Sequence, residues 1–150
     1  MIVKAGEFVQ GGRTVGRLDD GRVVFLDGLF PGEEAQVRIT EEKKDFCFAV
    51  PLDIVERSAC RRVSPCPYSR ECGGCPWIEL EYKAQISAKE ELQRKLFSDC
   101  GDLEFLGTVK CPNEFHYRSR ARFQYRINNG KAKLGFCAEK SNSTVCIESC

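Results

Sequence analysis

The chain has 150 residues, 42% of them hydrophobic and 30% charged, with ten cysteines and a formal net charge of +1. This composition excludes a disordered chain, and no apolar run approaches the ~20 residues that a membrane span needs. The opening Met1-Ile2-Val3-Lys4-Ala5-Gly6-Glu7-Phe8 carries no secretory signal. A cytoplasmic protein is therefore expected, whose cysteines serve metal or redox chemistry rather than disulfides.

The small net charge hides an asymmetry. Residues 1–56 hold 7 Lys and Arg against 11 Asp and Glu, and residues 57–150 hold 16 against 11. Nine of the ten cysteines also follow residue 56. A domain boundary is expected there, giving domains 1–56 and 57–150. In the first, short β-patterned runs at 7–10, 14–18, 22–26, 34–40 and 46–55 are punctuated by Gly and Asp. Five such strands at close spacing predict a small antiparallel barrel. Lys43 and Lys44 sit in the charged turn before its last strand, where they can meet phosphate, although Glu41, Glu42 and Asp45 flank them.

A Cys/Pro/Gly loop over 60–76 opens the second domain, and Cys66-Pro67-Tyr68-Ser69-Arg70-Glu71-Cys72-Gly73-Gly74-Cys75 is its most informative stretch. Three thiolates at C-x5-C-x2-C can converge on one metal because the loop between them is short and Gly-rich. Spacing alone leaves two metals open: an iron–sulfur cluster with a fourth ligand from elsewhere, or zinc on Cys60, Cys66, Cys72 and Cys75. Cys47, Cys100, Cys111, Cys137 and Cys146 read as packed or incidental thiols. A helix is expected over 79–97, with Ile78, Tyr82, Ile86, Leu92, Leu96 and Phe97 in an arc of about 140°.

Three strands are then expected, at 115–127, 131–137 and 143–147, the first pair joined through Asn128-Asn129-Gly130. The first alternates strictly: Phe, Tyr, Ser, Ala, Phe, Tyr and Ile at odd positions, with His116, Arg118, Arg120, Arg122, Gln124 and Arg126 between them. As a strand it would aim four guanidiniums at one side. Same-face residues about 6.6–7 Å apart come close to the phosphate spacing of a single nucleic-acid strand. RNA or DNA is the expected partner. The plain alternative is a solvated polar face with acidic neighbours elsewhere in the fold.

Together these motifs resemble the bacterial RNA uracil-5-methyltransferases. Gly11-Gly12-Arg13-Thr14-Val15-Gly16-Arg17-Leu18, Val24-Phe25-Leu26-Asp27-Gly28-Leu29-Phe30-Pro31-Gly32-Glu33 and Arg38-Ile39-Thr40-Glu41-Glu42-Lys43-Lys44 are similar to their TRAM barrel, an OB-like RNA-binding module. The cysteine loop resembles their [4Fe–4S] loop, and Tyr82-x2-Gln85-Ile86-x2-Lys89 the helix after it. Tyr117-Arg118-Ser119-Arg120-Ala121-Arg122-Phe123 with Leu134-Gly135-Phe136 is similar to the sheet of their central domain. The resemblance implies a mostly β, α+β chain with a [4Fe–4S] cluster on Cys66, Cys72, Cys75 and Cys150. It also implies rRNA or tRNA as partner, and methyl transfer from S-adenosylmethionine (SAM) by a domain that is expected to be absent here. No G-x-G turn after a strand offers SAM a seat. The alternative is a stand-alone zinc- or cluster-containing RNA-binding module.

Overall fold

The computed structural model describes residues 1–128 and 130–150, with Asn128 as backbone only. Its elements are β1 (Ile2–Lys4), β2 (Thr14–Arg17), β3 (Val23–Leu26), β4 (Glu34–Glu42), β5 (Phe46–Glu56), α1 (Tyr82–Leu96), β6 (Gln124–Asn128), β7 (Lys131–Cys137) and β8 (Thr144–Cys146). The fold is mostly β, with one helix among the described residues and two sheets. Two compact units result: Met1–Arg62 with Leu80–Val109, and Val63–Glu79 with Lys110–Cys150. Each unit is assembled from two stretches, so no single cut after residue 56 separates them.

The first unit is an OB-like barrel. Its sheet runs β1-β4-β5-β3-β2, antiparallel except where β3 lies parallel to β5. The first strand is Ile2–Lys4, not the expected 7–10. The chain then turns along β2, where the Gly6 N–H donates to the Val15 carbonyl at 2.7 Å, the Val15 N–H donates to the Glu7 carbonyl at 3.0 Å, and Phe8 bridges Thr14. One segment thus pairs with β4 through its first half and with β2 through its second, which removes both sheet edges. Gly16 permits this closure. A Cβ there would lie 2.8 Å from the Lys4 carbonyl oxygen.

Alternation fills the barrel. Val3, Leu18, Val24, Leu26, Leu29, Ala35, Val37, Cys47 and Ala49 are buried together, with Ile39 and Ile54 packed against them. Burying side chains of this kind contributes about 25 cal/mol per Å² of apolar surface removed from water. Cys47 is a core thiol, which suits its expected role as a bystander.

A buried ion pair ties the chain beyond the barrel back to it. Glu33 is fully buried, and Arg61 donates to both its carboxylate oxygens, from Nε at 2.6 Å and from a terminal nitrogen at 2.8 Å. The Phe30 and Ser58 amides donate to the same carboxylate, and the guanidinium lies 4.1 Å over the Phe30 ring. Burial pushes the Glu33 carboxyl upward, but the Arg61 and amide hydrogen bonds outweigh it and hold the group below its ordinary value. Arg61 then bridges Leu80, and the Glu81 N–H donates to the Cys60 carbonyl at 2.9 Å, which sets the start of α1. The expected stripe on α1 is buried only in part. Within it Ile86 is buried, whereas Leu96 and Phe97 are exposed, and Ala88 is buried outside the stripe.

The second unit is a three-stranded antiparallel sheet, β6-β7-β8, with the cysteine loop docked on it. Part of the Asn128-Asn129-Gly130 turn signal lies outside the described residues. The strands it was expected to join do pair, from Gln124↔Gly135 to Asn128↔Lys131. The expected strand over 115–127 is cut short, however: 115–123 is irregular backbone and only Gln124–Asn128 is strand. Alternation alone does not make a strand. β6 pairs only with Lys131–Gly135 of β7, and no described strand pairs with 115–123. His116 there has a φ of 56°, which breaks extended backbone outright.

Candidate functional site

The cysteine loop is shaped by its own backbone. The Ser64 hydroxyl accepts the Cys66 N–H and donates to the Cys66 carbonyl, both at 3.1 Å. The Tyr68 carbonyl accepts the N–H groups of Glu71 (3.0 Å) and Cys72 (2.8 Å), which folds the five residues between Cys66 and Cys72 into a compact turn. The loop then joins the sheet. Cys72 bridges Ala138, and the Gly73 N–H donates to the Cys137 carbonyl at 3.0 Å. Only glycine fits at 73, because a Cβ would stand 2.9 Å from the Glu139 Cα. Gly74 turns its N–H onto the Cys72 sulfur at 3.4 Å.

Cys66, Cys72, Cys75 and Cys150 all belong to this unit, whereas Cys60 belongs to the barrel unit. None of the four is in a disulfide. Burial raises the Cys75 thiol above its ordinary pKa, and the negative charges of Cys150, Cys72 and Cys66 raise it further, with Arg118 opposing. Cys150, 75 residues along the chain from Cys75, is the first of the charged groups acting on it. Soft sulfur donors of this kind suit an iron–sulfur cluster or zinc. Among the described residues, no group of three or more His, Cys, Asp or Glu side chains is gathered closely enough to hold a metal ion.

The arginines are placed differently from expectation. Arg118, Arg120 and Arg122 are exposed on the irregular segment before β6, and Arg126 alone is on a strand. The Arg118 guanidinium lies 5.6 Å from the Tyr117 ring centroid, and Arg126 donates to the Asn142 carbonyl at 3.4 Å. None of these four is in an ion pair among the described residues. Solvated pairing with acidic neighbours does not account for them. The structure adds two cations that alternation did not single out. Lys133 stands directly across from Arg126, and Lys131 across from Asn128, so β6 and β7 share a face of Arg126, Lys131 and Lys133 with no carboxylate on either strand. Like charges directly opposite each other destabilise a sheet unless an anion lies near. Strand register was the missing signal. Lys43, by contrast, is paired with Glu41 at 2.6 Å, and Lys44 is exposed at the same turn.

Opposite that basic face, Tyr125, Ile127 and Leu134 are largely exposed, at 69, 72 and 55%. Phe123 stacks on Phe136 with centroids 5.0 Å apart. No helix among the described residues is long and apolar enough to cross a membrane.

The TRAM domain family model matches residues 4–52. Over 99% of its length the chain is 32% identical to a Thermotoga maritima protein named an uncharacterized RNA methyltransferase, of which it covers 33%. It is 35% identical to the 23S rRNA (uracil(1939)-C(5))-methyltransferase of Halomonas elongata, over 93% of the chain and 29% of that protein. For the enzyme of the same name from Shewanella halifaxensis the identity is 39%, over 87% of the chain and 30% of that protein. The chain spans about a third of the length of the curated relatives it matches. It carries a TRAM domain, and over nearly all its residues it is homologous to proteins named RNA methyltransferases.

Proposed function

We propose that this chain, a TRAM barrel joined to a cysteine-bearing sheet and homologous to RNA methyltransferases, is the RNA-recognition and iron–sulfur portion of a SAM-dependent RNA uracil-5-methyltransferase. Its substrate is rRNA or tRNA. The observation that carries the reading is the similarity along 99% of the chain, which extends far beyond the barrel. In this reading methyl transfer, and SAM with it, belong to the two thirds of such proteins that the chain does not span.

Within these residues the work is binding and holding. Cys66, Cys72, Cys75 and Cys150 would hold a [4Fe–4S] cluster, which when bound supplies iron–thiolate cross-links between the loop and the tail. Gly74 steadies the Cys72 sulfur, Gly73 seats the loop on β7, and the positive charge of Arg118 offsets the negative charge gathered at Cys75. Arg118, Arg120, Arg122 and Arg126, joined by Lys131 and Lys133, would contact RNA phosphates. Lys43 and Lys44 add a weaker contact from the barrel turn. Unpaired guanidiniums give such binding its affinity and its salt dependence.

Two measurements test the reading. Anaerobic reconstitution followed by iron, sulfide and zinc analysis should find iron and acid-labile sulfide in equal amounts; stoichiometric zinc without sulfide contradicts it. The double variant Arg120→Glu, Arg122→Glu should bind RNA more weakly, with a slope of log affinity against log salt shallower by about 1–2. An unchanged slope returns those arginines to ordinary solvated surface.

A further inference from the structure

We propose that the outer face of β2, β3 and β5 receives unpaired nucleobases of RNA, which stack against Phe25, Phe46 and Phe48. The inference rests on the RNA-recognition reading above and gives the barrel a role of its own within it. In a closed barrel alternate side chains point inward, and those between them meet solvent. On these strands Thr14, Gly16, Val24, Leu26, Cys47 and Ala49 are the buried set. The outward set is Val15, Val23, Phe25, Phe46, Phe48 and Val50, all half-buried, where polar residues are the rule. Register makes them one patch: Val15 lies opposite Phe25, Phe25 opposite Phe48, and Val23 opposite Phe46.

The rings are arranged for stacking. Phe25 and Phe48 are stacked, with centroids 5.4 Å apart and planes 29° from parallel, and Phe46 meets both edge-on at 5.6 Å. The Arg13 guanidinium, anchored on Asp27 at 2.9 Å, lies 5.0 Å from the Phe48 centroid, so one ring already carries a flat π-system. A nucleobase is a larger group of the same shape, and stacking on an aromatic ring is open to every base. Val15 and Val23 also line an open cleft of about 430 Å³ with Lys4, Glu7 and Arg17, large enough for one nucleoside. The Glu7 charge there is taken up by Lys95.

Charge decides which partner suits the face. The carboxylates nearest the rings in the register are paired: Asp27 with Arg13, Glu41 with Lys43 and Glu42 with Arg22. Asp45 and Lys44 stand side by side in the turn before Phe46. Arg17 donates to the Gly21 carbonyl at 3.1 Å, and Arg38, across from Val50, is exposed. Neither is in an ion pair among the described residues. An aromatic face with two such guanidiniums at its rim fits a partner whose groups are flat and whose backbone is anionic. A single strand of RNA has both features.

The test titrates the whole chain with an oligouridylate of about ten nucleotides, within the site size of such barrels, and with the abasic ribose–phosphate oligomer of equal length. Both carry the same phosphates, so the difference in affinity reports the bases alone. Wild type should bind the oligouridylate about fivefold to hundredfold more tightly, the range that one stacked base provides. Phe25→Leu combined with Phe48→Leu keeps apolar bulk and removes the rings. It should bring the two affinities together and leave the slope against log salt unchanged. Phe48→Trp should keep the preference, because an indole also stacks.

A second readout needs no variant. In wild type the ring-proton resonances of Phe25, Phe46 and Phe48 should move upfield as oligouridylate is added. Equal affinity of wild type for both oligomers, or ring resonances that stay in place at saturation, overturns the proposal and leaves RNA binding to the basic face of β6 and β7. Self-association of the free chain that the double leucine variant abolishes also overturns it, and assigns the face to a second copy. If wild type binds neither oligomer, the RNA-recognition reading falls, and the stacking role falls with it.

Discussion

The two units hold themselves together by different means. The barrel unit buries a contiguous apolar core and a bidentate ion pair, and its closed sheet leaves no free edge. In the cysteine unit no apolar side chain of the described residues is buried, while Tyr125, Ile127 and Leu134 face outward. A unit this small, below ~70–80 residues, needs a staple when its core is thin. The contrast is what gives the proposed cluster a physical role: one unit is packed, and the cluster would supply the other with the staple its thin core lacks.

The sharpest way to break this contrast is to remove the cross-link. With Cys75→Ser, or with iron chelated, amide exchange protection over β6 and β7 should collapse. The amides of β3 and β5 should keep theirs. Equal loss in both units would mean that they are stabilised as one body, and protection retained in both would mean that the sheet needs no staple.

The next largest effect belongs to the barrel. Glu33→Ala strands the Arg61 guanidinium in a buried setting and should cost the barrel unit about 3–5 kcal/mol in denaturant titration, with cluster loading of the other unit unchanged. The pair also gives that unit a pH dependence. The Glu33 carboxyl is held below its ordinary value in the folded protein. Its contribution is therefore complete above the unfolded carboxyl's pKa near 4.5 and is lost as pH falls through the lower folded value. Denaturant midpoints between pH 6 and pH 3 should show a decline that Glu33→Gln flattens. A variant that keeps the full decline would assign it to other carboxylates.

Leu26→Ala probes the same core by deletion. It should destabilise the barrel by about 2–4 kcal/mol and leave the cysteine unit's exchange unchanged. Gly73→Ala is its counterpart across the divide. The added methyl must displace the Glu139 backbone, so the loop should lose its seat and bind iron less completely, while the barrel's denaturant midpoint moves by less than about 0.5 kcal/mol. A barrel shift as large as the loading defect would erase the distinction between the units.

How much of this was legible in the sequence follows the same divide. The runs expected at 14–18, 22–26, 34–40 and 46–55 meet strands at 14–17, 23–26, 34–42 and 46–56, because a closed core enforces the period. The first strand was misplaced. Phe8 and Val9 look like a strand and do run beside β2, but the strand that pairs with β4 is Ile2–Lys4. The cysteine loop stood out through its spacing and its glycines, and Gly73 proves to be the residue that a close approach requires. The basic segment misled for the opposite reason. Its period of two is perfect from 115 to 127, yet a strand needs a partner, and pairing with β7 stops at Gln124↔Gly135. Lys131 and Lys133 carried no motif, since their place beside Arg126 comes from strand register.

Native mass spectrometry of the anaerobically reconstituted chain, paired with amide exchange, tests the central claim most directly. The account expects the mass of one [4Fe–4S] cluster on the wild-type chain, lost in Cys75→Ser together with protection over β6 and β7. A metal-free or zinc-bound chain whose β6 and β7 amides stay protected would contradict it.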